Sequence, residues 1–254
     1  MMKRVLKILG LVLLVPLLGV VALFVIMFAG NPEIPDAREL EGFVRVVKDG
    51  YVGVDVLDAG AGAVVLIDSG KDPAGERVLA ELQRRHLGPE AVKAIFLTHG
   101  HVDHIAGCHL FPRAEVLALP GDVGLAEGRE SGKGPVLKHL PPADRQVHVT
   151  RTLQDGETVQ VGDLAVRVLA IPGHTSGSAA YLVRGVLFLG DSADATKDGA
   201  LVPAKWPVTD DPEANRASLK ALAARLPPGE VKHLVFSHTG VLEGDAALRA
   251  FAAK

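Results

Sequence analysis

FLTHGHVDHIAG, residues 96–107, is the stretch on which the reading of this chain turns. The chain has ten histidines in 254 residues, and three of them, His99, His101 and His104, share six positions with Asp103 directly after an apolar run. His99 and His101 are two apart, so an extended or turning backbone aims both imidazoles to one side. Asp103 and His104 follow at once, and a bend lets them face a second point. Imidazole nitrogens and carboxylate oxygens are donors that Zn2+ and other divalent cations take. Neither point is complete from this run alone. Three further residues stand where an apolar strand gives way to a Gly-containing loop: His174 in IPGHTSGS, Asp191 in FLGDS and His238 in FSHTG. Seven candidate ligands from four entry points predict two metals rather than one, and two metals about 3.5–4 Å apart can share a carboxylate and a hydroxide. His86, His109, His139, His148 and His233 read as ordinary surface or core histidines.

Outward from these points the chain reads as two rounds of strands, each followed by helices. FVRVVKD, YVGVDVLDA and AVVLIDSG are short β-type runs separated by Gly-containing turns, as in antiparallel hairpins. PAGERVLAELQRRHLG is predicted as a helix with Pro73 in its first turn and its stop at Gly88. VKAIFLTH is the strand that delivers the first histidines. In the second round ETVQVG, LAVRVLAIPGH, SAAYLVRG and VLFLGDS read as strands, and DPEANRASLKALAARLPPG as a helix capped by Asp211 with Pro212 in its first turn. KHLVFSHTG is a last strand and EGDAALRAFAAK a last helix. The pattern predicts an α+β layered architecture, two packed sheets with helices outside. Residues 121–145 and 193–211 are rich in Gly, Pro and charge and resist assignment. Long irregular segments in a compact domain tend to be functional loops, and both are expected over the site.

Composition narrows the function classes. Acidic and basic residues nearly cancel, 30 against 27, with no basic run beyond the N-terminal flank, which argues against nucleic-acid binding. Cys108 is the single cysteine, so no intrachain disulfide can form, and it reads as a small buried apolar residue. Residues 8–29 are nearly all apolar, and 22 residues span roughly 33 Å as a helix, against a hydrocarbon core of about 30 Å. Lys3, Arg4 and Lys7 precede this run and Glu33 and Asp36 follow it. The positive-inside rule therefore predicts one N-terminal transmembrane helix with the remainder extracytoplasmic. The alternative is a cleaved signal peptide and a secreted or periplasmic protein. The expected organisation is a membrane anchor or signal peptide over 1–30, a linker over 31–40 and a catalytic domain over 41–254. The sequence does not give the oligomeric state.

The motifs LIDSG, THGHVDH, GHTSGS, GDS and SHTG, in this order, resemble those of the metallo-β-lactamase superfamily, and the resemblance covers residues 41–254. It implies an αββα sandwich with metals at one edge, between the sheets. Position by position it implies His99, His101 and His174 on one metal, Asp103, His104 and His238 on a second, and Asp191 bridging them. Asp68 matches the acidic residue of the first motif, a group that orients ligands or loop backbone. The implied cofactor is two Zn2+, with Fe or Mn as other occupants. The implied reaction is hydrolysis of an ester, thioester, lactone or lactam carbonyl in a small-molecule substrate, by a zinc-activated hydroxide that Asp103 orients and deprotonates.

His104 after Asp103, with Asp191 as bridge, resembles the glyoxalase II-like, lactonase and thioesterase branches more than the lactamases. Asp191 and His238 lie 47 positions apart, too close for the inserted domain of the nucleic-acid-processing branch. Sixteen residues follow His238, so the C-terminal helical region that holds glutathione in glyoxalase II is expected to be missing. Ser176 stands where the family usually has proline, and ADATKDG after GDS has no tyrosine of the kind typical of acyl-homoserine lactonases. Lys133, His139, Lys205 and Trp206 are candidate substrate contacts. Other readings stay open: a mononuclear-iron persulfide dioxygenase-like oxidoreductase using His99, His174 and Asp191, β-lactamase activity specifically, and a non-catalytic metal-binding module.

Overall fold

Valine-rich runs joined by glycine turns build the first sheet of the computed structural model, which describes residues 31–142 and 147–254 together with Gly19, Ala22 and Val25. β1 (Arg38–Leu40), β2 (Val44–Asp49), β3 (Val52–Asp58) and β4 (Val64–Ile67) form an antiparallel meander. β5 (Val92–Phe96), β6 (Glu115–Ala118) and β7 (Arg151–Thr152) then join in parallel, giving the spatial order β1 to β7. The second sheet comprises β8 (Thr158–Val161), β9 (Leu164–Ala170), β10 (Ala179–Val183), β11 (Val186–Phe188), β14 (His233–Val235) and β15 (Val241–Glu243). Its order is β15-β14-β11-β10-β9-β8, and only the β11–β14 pair is parallel. β12 (Ala193–Ala195) and β13 (Leu201–Pro203) make a separate hairpin. Among the described residues of 32–254 the α-helices are α1 (Glu76–Arg84), α2 (Val102–Ile105), α3 (Pro120–Ala126), α4 (Pro212–Arg225) and α5 (Ala246–Ala252).

Strand alternation sends side chains to opposite faces, and both faces of each sheet are covered. Leu57, Val65, Ile67, Phe96 and Leu117 of the first sheet pack on Val166, Val168, Tyr181, Phe188 and Val235 of the second. The outward residues Val54, Val56, Leu66 and Ile95 meet Val78 and Leu82 of α1. On the far side Leu182, Leu187 and Leu234 meet Leu219 and Leu222 of α4 and Leu248 and Phe251 of α5. The layers run helix, sheet, sheet, helix, as the resemblance implies. Tyr181 packs edge-on against Phe96, centroids 5.2 Å apart, and donates its hydroxyl proton to the Leu97 carbonyl at 2.6 Å. That bond ties the sheets together two residues before His99.

Several local expectations change. The helix expected over 73–88 begins at Glu76 and ends at Arg84, because Asp72 accepts from the Ala74 and Glu76 N–H groups, at 2.9 and 3.0 Å, and turns the chain first. Residues 121–145 are not wholly irregular: α3 occupies their start, and a 3-10 turn forms at Leu137–His139. Residues 193–211 contain the β12–β13 hairpin and a 3-10 turn at Trp206–Val208. Within the stretch read as linker, β1 pairs with β2, and Ile34 and Leu40 are buried in the inter-sheet core. The transmembrane helix expected over 8–29 lies, but for three positions, outside the described residues. Among the described residues no helix is long and apolar enough to cross a membrane.

Candidate metal centre

The seven residues picked out by the motifs come together at the strand ends. β5 stops at Phe96, and Thr98 leaves the sheet by donating twice to Asp68, its N–H to Oδ1 and its hydroxyl to Oδ2, each at 2.7 Å. Asp68 itself holds a left-handed φ of 60°, a conformation uncommon outside glycine. Ser69 then fastens the next turn, its N–H and hydroxyl donating to the His104 carbonyl at 2.6 and 3.1 Å. α2 is a single turn, so Asp103 and His104 follow His101 at once. From the second sheet, His174 follows β9, Asp191 follows β11 and His238 follows β14. Gly190 takes φ 56° and passes so close to Thr98 that a Cβ there would lie 2.6 Å from the Thr98 side chain.

Hydrogen bonds on the far side of four imidazoles fix which nitrogen faces inward. The His238 Nδ1–H donates to the Tyr51 carbonyl at 2.8 Å, and the His104 Nδ1–H to Asp68 Oδ2 at 2.8 Å. Neither partner can donate in return. The Thr209 hydroxyl gives its proton to the Lys205 carbonyl at 2.8 Å, so it accepts from His174 Nδ1 at 3.2 Å. The Thr98 hydroxyl is committed to Asp68 and likewise accepts from His99 Nδ1, at 3.1 Å. All four Nδ1 atoms therefore carry protons, which turns the four Nε2 atoms to the interior, where His174 Nε2 meets His101 Nδ1 at 3.1 Å and His238 Nε2 meets Asp191 at 2.9 Å. Such outer partners set ligand tautomer and orientation in metal sites.

Inside this frame, ligand atoms of His99, His101 and His174 lie within 4.8 Å of one another, as do those of Asp103, His104 and His238. Asp191 stands between the two groups. Its carboxylate is 2.9 Å from His238 Nε2, 3.3 Å from His104 Nε2 and 3.8 Å from His174 Nε2. Asp103 reaches both histidines of its group, at 3.7 and 3.8 Å. Burial and the neighbouring imidazoles push His99 and His174 well below their ordinary pKa, so both are neutral donors. Burial would lower His104 and His238 too, but Asp191 and Asp103 beside them raise both. Burial would raise the Asp191 carboxyl, yet His238 and His104 hold it well below the usual range. The field that draws protons onto His104 and His238 is one that favours a cation.

The residues fit divalent metal. His99 Nε2 is buried without a partner in hydrogen-bond geometry, an arrangement that costs about 1–3 kcal/mol, and His104 Nε2 faces the Asp191 carboxylate at 3.3 Å. Imidazole nitrogens and carboxylate oxygens converging on two points are a donor set that such cations satisfy.

Sequence reading missed the supports. Asp122, at the start of α3, accepts from the Gly100 N–H (2.7 Å), the Gly177 N–H (2.7 Å) and the Thr175 hydroxyl (2.8 Å), so one buried carboxylate joins the His99–His101 turn to the His174 loop. Tyr51, Thr98 and Thr209 hold ligand histidines, and Asp194 pairs with Lys205. Thr98 and Thr175 adjoin motif histidines, which is a signal; Tyr51, Asp122 and Thr209 carry none. The two segments expected over the site do meet. Val136 N–H donates to the Pro207 carbonyl at 3.0 Å and Lys133 N–H to Asp210 at 2.7 Å, while Asp210 N–H donates to the His174 carbonyl at 2.9 Å. Of the candidate contacts, Lys133, His139 and Trp206 are exposed and Lys205 is half-buried against Asp194. Cys108 is buried, its sulfur 3.2 Å from the Ser69 hydroxyl. Ser176 is exposed and donates to the Gly121 carbonyl at 2.8 Å.

Comparison with known proteins agrees with this geometry. The family model described as the metallo-beta-lactamase superfamily matches residues 54–238. A hydroxyacylglutathione hydrolase of Gloeobacter violaceus is 36% identical over 160 residues, 62% of this chain and 54% of that protein. One of Xanthomonas axonopodis pv. citri is 33% identical over 171 residues, 67% of this chain and 57% of its own. The chain thus spans about half the length of these curated relatives. Among solved structures, the Rm3 metallo-beta-lactamase superposes with a TM-score of 0.66 at 23% identity, covering 87% of this chain and 91% of that one. A subclass B3 metallo-beta-lactamase of Bradyrhizobium japonicum gives 0.62 at 22% identity, with 83% and 80% covered. At these identities the structural likeness speaks for the fold.

Proposed function

The chain belongs to the metallo-β-lactamase superfamily, and from that premise we propose that it is a metal-dependent hydrolase of carbonyl compounds, with thioesters foremost among esters, lactones and lactams. The observation that carries the reading is the set of four imidazoles whose Nδ1 protons are all committed outward, onto Thr98, Asp68, Thr209 and the Tyr51 carbonyl. The names of the relatives, hydroxyacylglutathione hydrolases, support the thioester. His99, His101 and His174 would hold one divalent cation and Asp103, His104 and His238 a second, with Asp191 between them; zinc suits this donor set best, and iron or manganese also accept it. Bound there, the metals would supply a water acidified to a pKa of about 7 and a Lewis acid for the carbonyl oxygen.

The chain's own residues do the rest. Asp103 is the more exposed of the two central carboxylates, 19% against 11% for Asp191, so it is the one placed to orient an incoming water and take its proton on a carboxylate oxygen. Asp191, fixed by two imidazoles, stays ionised and keeps the two groups in register. Asp68 and Asp122 hold the ligand loops still, which lowers the reorganisation the reaction requires. Cys108, buried beside Ser69, is no nucleophile. An iron-dioxygenase reading would use His99, His174 and Asp191 and leave Asp103, His104 and His238 without a role. The reading of residues 8–29 as a membrane anchor with the enzyme extracytoplasmic belongs to the same proposal, supported by the length of the apolar run and its flanking charges.

The test is metal content by mass spectrometry of protein purified without added metal, followed by a panel of thioester, ester, lactone and lactam substrates. Close to two zinc per chain, falling to one or fewer in the His104→Ala/Asp191→Ala double variant, with turnover of a thioester, is the expected result. One tightly held iron and no second metal would overturn it.

A further inference from the structure

Among the described residues of 32–254, five large apolar side chains are exposed: Tyr51 (37%), Val102 (52%), Leu140 (54%), Val202 (37%) and Trp206 (62%). Three of them, Tyr51, Val102 and Trp206, adjoin residues that build the metal centre. Tyr51 gives its carbonyl to His238, and its ring stacks on that imidazole with centroids 5.8 Å apart and planes at 23°. Val102 stands between His101 and Asp103. Trp206 lies between Lys205, which is paired to Asp194, and Thr209, which holds His174. Val202 is the strand partner of Asp194 in the hairpin that follows Asp191. Leu140 closes the 3-10 turn onto Leu137, and Leu137 packs beside Gly132, where a Cβ would come to 3.4 Å from His101 Nε2.

An isolated exposed apolar residue on a protein surface is ordinary. Tyr51, Val102 and Trp206 beside one centre, with Lys71 over the Tyr51 ring, give its border apolar surface that a ligand can cover. The occupant follows from where the apolar residues are. Val102 lies between two of the ligands and the Tyr51 ring stacks on a third, so whatever covers them adjoins the group being cleaved. Resting on the hydrolase reading, we infer that the substrate carries an apolar acyl chain of several carbons on the scissile carbonyl, and that Tyr51 and Trp206 are specificity-determining residues that hold this chain.

The experiment uses the full-length zinc-loaded protein and two readouts. The first is kcat/KM for acetyl, butanoyl and octanoyl thioesters of one common thiol. The expected rise from acetyl to octanoyl is about tenfold or more, from burial of the added methylenes. In Trp206→Ala and in Tyr51→Ala the octanoyl-to-acetyl ratio falls to within about threefold, mainly through KM. The second readout needs no turnover. Trp206 is the single tryptophan of the chain, so its emission reports on this surface alone. Octanoate is expected to shift that emission to the blue in a saturable way, and acetate to leave it unchanged.

Thioester turnover with a flat chain-length profile and no emission shift overturns the inference and leaves the hydrolase reading intact. An octanoate shift without turnover of any acyl compound overturns the hydrolase reading while keeping the chain-binding surface. Emission that shifts with protein concentration in the absence of octanoate assigns the surface to a second copy of this chain and overturns the inference.

Discussion

Asp68 shows how much one side chain decides here. Its two oxygens serve three donors, the Thr98 N–H, the Thr98 hydroxyl and the His104 Nδ1–H. An asparagine keeps the size but offers one acceptor and turns an NH2 towards one of those donors. His104 then loses its fixed tautomer. Asp68→Asn is expected to weaken zinc binding about 10–100-fold at the group containing His104, with about 1–3 kcal/mol of stability lost from the unpaired donor. Competition with a chromophoric chelator reads the first and urea unfolding the second; unchanged zinc affinity would remove Asp68 from the positioning role. Cys108 makes the opposite kind of prediction. Burial pushes its thiol up to about 12, and the thiolate is the reactive form. The native protein at pH 8 should therefore resist an aromatic disulfide reagent and react at once in denaturant; fast native labelling would place the thiol elsewhere.

At the scale of elements, the His174 loop depends on how closely β9 can approach the start of α4. Gly173 takes φ 137°, and a Cβ there would overlap the backbone of Asn215, while Gly173 O accepts the Asp211 N–H at 2.9 Å. Gly173→Ala must push the strand end and the helix apart. About 3 kcal/mol or more of destabilisation is expected from the overlap and the unfavourable φ, together with loss of metal at the His99–His101–His174 group before the other. Thermal melting and metal content check both, and a native melting point with full metal would show that the loop adapts. Helix α1 is tied to the first sheet differently. Burial would raise the Glu81 carboxyl, but hydrogen bonds from Arg84 and Arg85 and the charges of Arg85 and Arg45 bring it below its ordinary value. A depressed carboxylate stabilises the fold above its unfolded pKa, about 4.3, and that contribution is lost as pH falls through the lower folded value. Glu81→Gln should therefore cost about 1–3 kcal/mol at pH 7, and the difference from the parent should shrink as pH falls through the folded value, as read by urea unfolding over a series of pH values.

For the whole molecule, the sequence was most legible where partners are adjacent and least where they are distant. THGHVDH announces itself because four donors fall in six positions, and strand alternation with Asp211–Pro212 at a helix start gives the layers. Tyr51 and His238 are 187 positions apart, Asp68 and Thr98 30 apart, and Asp122 and Gly177 55 apart, so nothing local marks them as partners. α3 stayed hidden because Pro120, Gly121 and Gly124 read as loop residues, and it forms where Asp122 is held by both ligand loops. The same long-range design sets the last prediction. Four candidate ligands come from the end of β5 in one sheet, and three from β9, β11 and β14 in the other, so metal would clamp the two sheets together. Saturation at about a hundredfold over Kd stabilises the folded state by about 2.7 kcal/mol for each site, and a domain of this size gains roughly 2–4 °C for each kcal/mol. Chelation should then lower the melting temperature by about 10–20 °C if both sites empty, and by about half that in a His238→Ala variant that keeps only the His99–His101–His174 group. Calorimetry with and without chelator decides it. A shift under about 2 °C would mean that the buried nitrogens are satisfied without a cation, which the unpartnered Nε2 of His99 argues against.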